Sequence, residues 1–581
     1  MIDFDYILTK IGKIGLYQIL VISMIYYYGI PCGLNTLLPV FTNYIPYYRC
    51  KVPPFDNEHS GLNETQILAI TTPLDENGEY DTCRRYDYNA TECHKHGNIS
   101  YDCLENINET IPCTEGDGYY YDRSLFTETV VTEMDLVCEK IIYSYVSTSL
   151  YMVGLLLGSF IFGNFADRYG RKPSIIITCI GSAIGLILAA LSHVYWLYTF
   201  SRVFNAVFGY GLYMINFVLV VELVGPEWRT LVGIGYQFFY AIGVLTLSGV
   251  AYGWRDWHQM QWGLIIISVP FVCFLFLIPE SPRWLFGVER NEAAKKITSR
   301  IEKFSKIDIT EEMWLEAERL GTEIKGRDRK QEEENRKYSS LDLFRKPGIR
   351  LTTLKVMFTW FVNSLVYYGL SLNISSLSGN IFINNVIGGC MEIISYVICI
   401  LAMDVIGRRL LLAIMLLSSG ITLIISTIVN LYAGDDQSLI TLGVVFTFLG
   451  RLGISGSYAL VYNFTLELFP TVVRSNGIGI SSCAARISGV IAPLLIATQI
   501  WFPWLPNSIF GIFGIIGGFI SLTLPETNGM KMLVTLEEAE FFYKQKQSTK
   551  EKEENGRLPS EDLDNSIAFQ NKSFEAELTK L

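Results

Sequence analysis

Charge is scarce in this chain. Of 581 residues only 18% are Asp, Glu, Lys or Arg, while 50% are hydrophobic and 13% aromatic. A soluble domain of that length needs far more polar surface to cover itself, so a water-soluble globular protein is excluded. Histidine is scarcer still: five residues, His59, His94, His96, His193 and His258. None stands on an apolar run beside a plausible partner. The nucleophile–base pair or metal cluster that an intramembrane enzyme requires is therefore missing, and no catalytic residue, cofactor or metal is expected. The net charge of −11 is unevenly spread. Asn43 to Glu139 holds six basic against nineteen acidic residues, a net of −13, which leaves +2 for everything else. The acidic balance belongs to one segment and does not mark a nucleic-acid partner.

What is abundant is long apolar runs. About twelve of roughly 20 residues follow one another, from one centred near Met24 to one centred near Phe513, each long enough to cross about 30 Å of hydrocarbon. The first, Ile14 to Val40, is too long for a signal-peptide core and is expected to stay as an uncleaved helix. Charged strings between the runs occur twice, about 240 residues apart. Asp167-Arg168-Tyr169-Gly170-Arg171-Lys172 returns as Asp404-Val405-Ile406-Gly407-Arg408-Arg409. Glu222 with Arg229 returns as Glu467 with Arg474, and Pro279-Glu280-Ser281 as Pro525-Glu526-Thr527. Near-constant offsets of 237 to 246 residues point to a duplicated half. The expected fold is an all-α membrane protein of twelve transmembrane helices, in two parallel six-helix halves.

Orientation follows from the cations. Pro279 to Pro347 carries sixteen Lys and Arg, and the repeated strings fall on the same side, so that side and both termini are expected in the cytosol. The expected segments are residues 1–42 (N-terminus and first helix), 43–139 (extracellular loop), 140–279 (helices two to six), 280–348 (a connector with helix-compatible stretches), 349–526 (helices seven to twelve) and 527–581 (a tail largely disordered at its end). The loop contains Cys50, Cys83, Cys93, Cys103, Cys113 and Cys138, an even count that suggests three disulfides in any of fifteen pairings. Sequons at Asn63, Asn89, Asn98 and Asn108 suggest glycosylation there; those at Asn463 and Asn571 lie in a span and in the tail and are set aside. With its cysteines assigned to disulfides, Cys93-His94-Lys95-His96 is not taken as a metal site. The other six cysteines fall in apolar spans and are expected to be buried.

The string Asp167 to Lys172 and its copy resemble the loop signature of the major facilitator superfamily. Pro279 to Leu285, Glu467 to Arg474 and the cysteine-rich first loop resemble its organic cation, organic anion and carnitine transporters, over about Asp3 to Thr527. The resemblance implies the major facilitator fold and transport of small organic ions by alternating access across the plasma membrane, with organic cations or carnitine-like zwitterions favoured and a coupling ion possible. An organic anion transporter is the alternative. A non-transporting receptor would be expected to lose the charges of the repeated strings and those inside the spans, and Arg486 together with the six-cysteine loop disfavours a sugar substrate.

Asp167, Arg168, Arg171, Glu222, Arg229, Glu280, Arg283, Asp404, Arg408, Glu467 and Arg474 gather on the cytoplasmic side. Each Asp ends a helix beside basic residues, where it can cap the next helix and bridge to Arg. The resemblance implies a charge-relay latch for the cytoplasmic gate, which the recurrence of opposite charges at equal spacing in both halves favours; the alternative is topology-setting cations with neutralising carboxylates. Ionisable groups inside spans are costly and so mark function. Glu392 lies twelve residues before Asp404 and Arg486 twelve after Arg474. Both are then about 18 Å from the cytoplasmic turns, either facing each other across a cavity or pairing to hold helices in register. In the resembling family an acidic residue at Glu392 belongs to the substrate site, and Arg at 486 marks carnitine and anion relatives where cation relatives carry Asp. Trp360 and Tyr367, Tyr458 and Tyr462, Tyr236 and Tyr240, and Tyr213 and Phe217 each share a helix face that can offer rings to an ammonium group or simply pack. The resemblance favours Trp360, Tyr367, Tyr213 and Tyr240 for the cavity, with Gln237 a polar candidate beside them.

Overall fold

A computed structural model describes residues 2–543 except 3, 54, 57–62, 76–77, 88–93, 96–97, 100–108, 116–117, 306–308, 334–339, 529–532 and 534–535. Its body is a bundle of long helices, numbered here α1 (Leu16–Thr42), α2 (Ile141–Tyr169), α3 (Arg171–Ala190), α4 (Tyr195–Glu222), α5 (Arg229–Gly253), α6 (Trp257–Phe274), α7 (Pro347–Leu372), α8 (Ile381–Ile406), α9 (Arg408–Ala433), α10 (Gln437–Leu468), α11 (Arg474–Ala497) and α12 (Leu505–Leu522). Ten are long and apolar enough to cross a membrane; α6 and α7 fall outside that set. The expected twelve crossings need these two as well. The polarity of α7 is turned inward, since Thr353, Asn363, Ser364 and Ser371 are fully buried, and an average over the helix cannot see which face carries them.

The duplication is visible in three dimensions. In the first half α4 packs on α2 and α3; in the second, α9 packs on α10 and α12 and α8 packs on α10. Two seams join the halves, α2 against α11 and α5 against α8. In the first half α1 crosses α5 so closely that a Cβ on Gly33 would collide with the Tyr240 carbonyl oxygen, and one on Gly243 with that of Ile30. Only glycine permits that approach.

The Cys-rich loop is built on three short antiparallel pairs: Tyr48–Cys50 with Tyr119–Tyr121, Arg84–Tyr86 with Thr110–Pro112, and His94–Lys95 with Asn98–Ile99. Disulfides Cys50–Cys113 and Cys83–Cys138 close it. Cys93, Cys103, Asn89 and Asn108 lie outside the described residues. Asn63 precedes the helix Glu64–Thr71, and Asn98 is in a strand. The loop rests on the first half through Val130, Val131, Leu136 and Val137 against Tyr198 and Trp257.

On the opposite face the N-terminal helix Phe4–Ile11 packs on Leu285, Phe286, Ala294 and Ile301, joining the start of the chain to the connector helix Asn291–Ser305. A second connector helix spans Glu311–Glu333. Near the C-terminus residues 536–543 are helical, and Glu540 accepts from the Gly348 and Ile349 amides at 3.1 and 3.0 Å, capping α7. The span cysteines divide: Cys179 and Cys399 are buried, Cys32 and Cys483 half-buried, and Cys273 and Cys390 exposed on the outside of the bundle. Burial of all six is thus corrected, because a helix that faces lipid needs no polar outer surface and an apolar run leaves the inward face unspecified.

Candidate functional site

The repeated strings form two copies of one construction. Gly170 and Gly407, with φ of +103° and +92°, end α2 and α8 in a backbone conformation that side chains disfavour. Each is followed by a helix whose first amides are taken by a distant carboxylate. Glu280 accepts from Arg171 N and Lys172 N at 2.8 and 3.1 Å, and Glu526 from Arg408 N and Arg409 N at 2.9 and 3.1 Å. The caps are therefore these glutamates, whereas Asp167 and Asp404 bridge to Arg171 and Arg408 at 3.1 and 2.9 Å. Arg171 also binds Glu222 at 2.7 Å and Arg408 binds Glu467 at 3.3 Å. Arg229 joins neither Glu222 nor Asp167: it reaches Asp5 of the N-terminal helix at 2.5 Å, with Arg283 3.5 Å from the same carboxylate. Arg474 donates to the Phe469 carbonyl at 3.2 Å, and Arg168 lies over the ring of Tyr169. Among the described residues each cluster closes within its own half.

At mid-depth, Glu392 of α8 is fully buried. Tyr367 of α7 and Tyr396, one turn further along α8, donate to its Oε1 at 2.8 and 2.7 Å. Its charged neighbour is Arg451 of α10, 3.7 Å from Oε2. Among the described residues that oxygen has no donor, and none of the three guanidinium nitrogens of Arg451 has an acceptor. A desolvated pair at this separation without hydrogen bonds does not recover the cost of its burial. Both groups retain unfilled capacity toward a third partner.

Arg486 of α11 is buried and reaches across to the first half, its guanidinium 4.3 Å from the ring centre of Tyr210 on α4 and donating to that hydroxyl. Its Nε is unpartnered, and among the described residues no carboxylate forms an ion pair with it. The alternative in which Glu392 and Arg486 pair to hold helices in register is corrected: equal depth leaves the angle around each helix free, and the partners are Arg451 for Glu392 and Tyr210 for Arg486. Arg451 and the buried Arg202 of α4 were not singled out in the sequence, although the argument from charge inside a span applies equally to both. Arg202 bonds Asn35 Oδ1 at 2.6 Å and lies 4.3 Å from the ring centre of Tyr151.

Two runs of rings approach these charges. In the second half Tyr367 stacks on Tyr458 at 5.3 Å, Tyr458 meets Tyr462 at 5.9 Å, and Tyr462 meets Trp360 at 4.4 Å, whose indole N–H is held by Thr465 at 2.8 Å. In the first half Tyr213 contacts Tyr210, Tyr236 and Tyr240 at 5.9, 4.7 and 6.2 Å, with Gln237 half-buried on α5. Phe238 against Tyr396 joins the halves at 5.5 Å. Towards the loop face the seam is shut: Phe382 is ringed by Phe41, Phe126 and Tyr252 at 5.5 to 5.7 Å, and Asn385 donates to Val244 O and Ser248 Oγ at 2.8 and 2.7 Å. Above it a cavity of about 200 Å³ opens between the ends of α1, α2, α7 and α11.

Two related bundles around a buried, charged midplane are the architecture of a major facilitator. The fold is similar to that of the xylose transporter XylE from E. coli in a partially occluded inward-open conformation, with a TM-score of 0.56 and 16% identity over 89% of this chain and 99% of that one. Residues 112–540 match the model of the family "Sugar (and other) transporter". The chain is 34% identical to the "Organic cation transporter protein" of Drosophila melanogaster, over 95% of this chain and 97% of that protein. It is 30% identical to "Organic anion transporter 3" of Oryctolagus cuniculus, over 95% and 96%. The chain belongs to the sugar (and other) transporter family of the major facilitator superfamily, in its organic cation and anion transporter branch.

Proposed function

We propose that the protein carries small organic cations or zwitterions across the plasma membrane by alternating access, with its termini in the cytosol and the glycosylated Cys-rich loop outside. The observation that carries this reading is the state of Glu392: a buried carboxylate oriented by two tyrosine hydroxyls, its second oxygen without a donor among the described residues. An ammonium group entering beside Tyr367 and Tyr458 would meet that charge and the ring faces together, each desolvated ring contributing on the order of 1–2 kcal/mol. Arg486, a buried cation that forms no ion pair with a carboxylate among the described residues, supports a carboxylate arm on the same substrate. A substrate bearing both charges satisfies both groups; an anion would use Arg486 alone.

Closure of the seam at Phe382 on the loop side fits one end state of the cycle, in which the site is reached from the face of the repeated strings. Rocking of the halves about the α2–α11 and α5–α8 seams would exchange access. The deciding experiment is uptake by cells expressing the chain, with a labelled quaternary ammonium competed by carnitine and by a dicarboxylate. Accumulation inhibited by carnitine and the ammonium but not by the dicarboxylate is expected. Inhibition by the dicarboxylate alone would establish the anion reading, and binding without accumulation would establish a receptor.

A further inference from the structure

Three side chains far apart in the sequence meet on the loop face. Glu133 ends the short loop helix Val130–Glu133, His193 lies between α3 and α4, and His258 is in the first turn of α6. Glu133 Oε1 is 2.8 Å from His193 Nδ1, and Oε2 is 2.9 Å from His258 Nε2. All three donor atoms lie within 4.8 Å of one another.

The surroundings prepare them as ligands. His258 Nδ1 is 2.9 Å from the Ala190 carbonyl, which only accepts, so that nitrogen carries a proton and Nε2 is the nitrogen left to ligate a metal once the ion displaces the proton it shares with Glu133. A backbone carbonyl that sets the tautomer in this way is the usual support of a metal-binding histidine. Trp257 Nε1 donates to Glu133 Oε2 at 2.6 Å and fixes the carboxylate. His193 is 72% exposed, whereas His258 and Glu133 are 19% and 17% exposed, so the cluster opens to solution on one side only. Two imidazoles, one carboxylate and an open side are a donor set that zinc takes; calcium and magnesium prefer oxygen alone.

We propose that Glu133, His193 and His258 form a Zn²⁺ site of three protein ligands and one solvent position, which clamps the Cys-rich loop to the α3–α4 and α5–α6 turns of the first half. Bonds of about 2.0–2.2 Å in tetrahedral geometry place ligand atoms about 3.3 Å apart. The two glutamate–histidine contacts therefore open by about half an ångström as the imidazoles draw together around the ion. Zinc chloride should be titrated into the full-length protein in lipid nanodiscs, with calorimetric binding and thermal unfolding both followed. The wild type should bind one Zn²⁺ and unfold at a higher temperature with it than with equal Mg²⁺. His193→Ala, whose exposed ring is not needed for packing, should weaken binding about 10-fold or more and remove most of the thermal shift, and Glu133→Gln should do the same. The variant His59→Ala/His94→Ala/His96→Ala, lacking the other histidines of the loop, should behave as wild type. No shift in the wild type, an unchanged affinity in His193→Ala, or a lost shift in the triple variant would each overturn the site and leave the cluster as a hydrogen-bonded clasp.

Discussion

Glu392 and Arg451 separate a structural from a functional role more sharply than any other pair. Were they only a clasp between α8 and α10, their orphaned hydrogen-bonding atoms would be a net liability. Glu392→Gln keeps an acceptor for Tyr367 and Tyr396 while removing the charge. Loss of one partner of a desolvated charge contact costs about 2–5 kcal/mol, so affinity for ammonium substrates should fall roughly 30-fold or more. Because Arg451 is then left uncompensated, Glu392→Gln/Arg451→Gln should recover surface expression without recovering affinity. Recovery of both would return the pair to a structural role. Arg486→Asp should weaken carboxylate-bearing substrates and favour simple cations; an equal loss for all substrates would show that Arg486 serves chiefly to join Tyr210 to α11.

At the scale of elements, α3 and α9 begin at amides that Glu280 and Glu526 accept from across the half. A carboxylate at a helix N-terminus is favoured by both the free amides and the helix dipole. Glu280→Ala and Glu526→Ala should each cost about 1–2 kcal/mol, seen as a lower unfolding temperature of the purified protein, with the Gln variants less affected. An Ala variant as stable as wild type would show that solvent replaces the cap. The loop-side seam offers a second test. Phe382 is almost wholly buried among rings from α1, the loop and α5, contacts that must part when this side opens. Phe382→Ala should shift the population towards the loop-side-open state, raising modification of a cysteine placed at Ser248 by an impermeant thiol reagent. Unchanged labelling would mean that Asn385 and the helix seams hold the closure without it.

Across the whole molecule the two clusters at the repeated strings close within their halves, and Arg229 ties the first half to Asp5 of the N-terminal helix. If this contact governs the rocking of the halves, Asp5→Ala and Arg229→Ala should each lower the maximal transport rate and leave the half-saturating concentration nearly unchanged. The double variant should then be no worse than either alone, since neighbours in one network are not additive. Additive losses would assign Arg229 a separate partner during the cycle, and a loss confined to affinity would remove it from the gate.

Class and pairing of the halves were legible without a structure, because apolar runs of fixed length and strings repeated near a constant offset survive in one dimension. So were the connector helices and the candidate charges, since a charge inside an apolar run is conspicuous wherever it points. Arg202 and Arg451 carry the same signal. What one dimension cannot hold is angle and partner. Glu392 and Arg486 share a depth, yet the rotation of α8 and α11 gave them different neighbours; Glu280 and Glu526 cap helices more than a hundred residues away; and Glu133, His193 and His258, unremarkable singly, converge only because the loop and two turns meet on one face. The sequence by itself determined which segments leave water, since transfer free energy sums over local composition. Only the tertiary structure decided which buried groups meet, since that depends on how helices cross and rotate against one another.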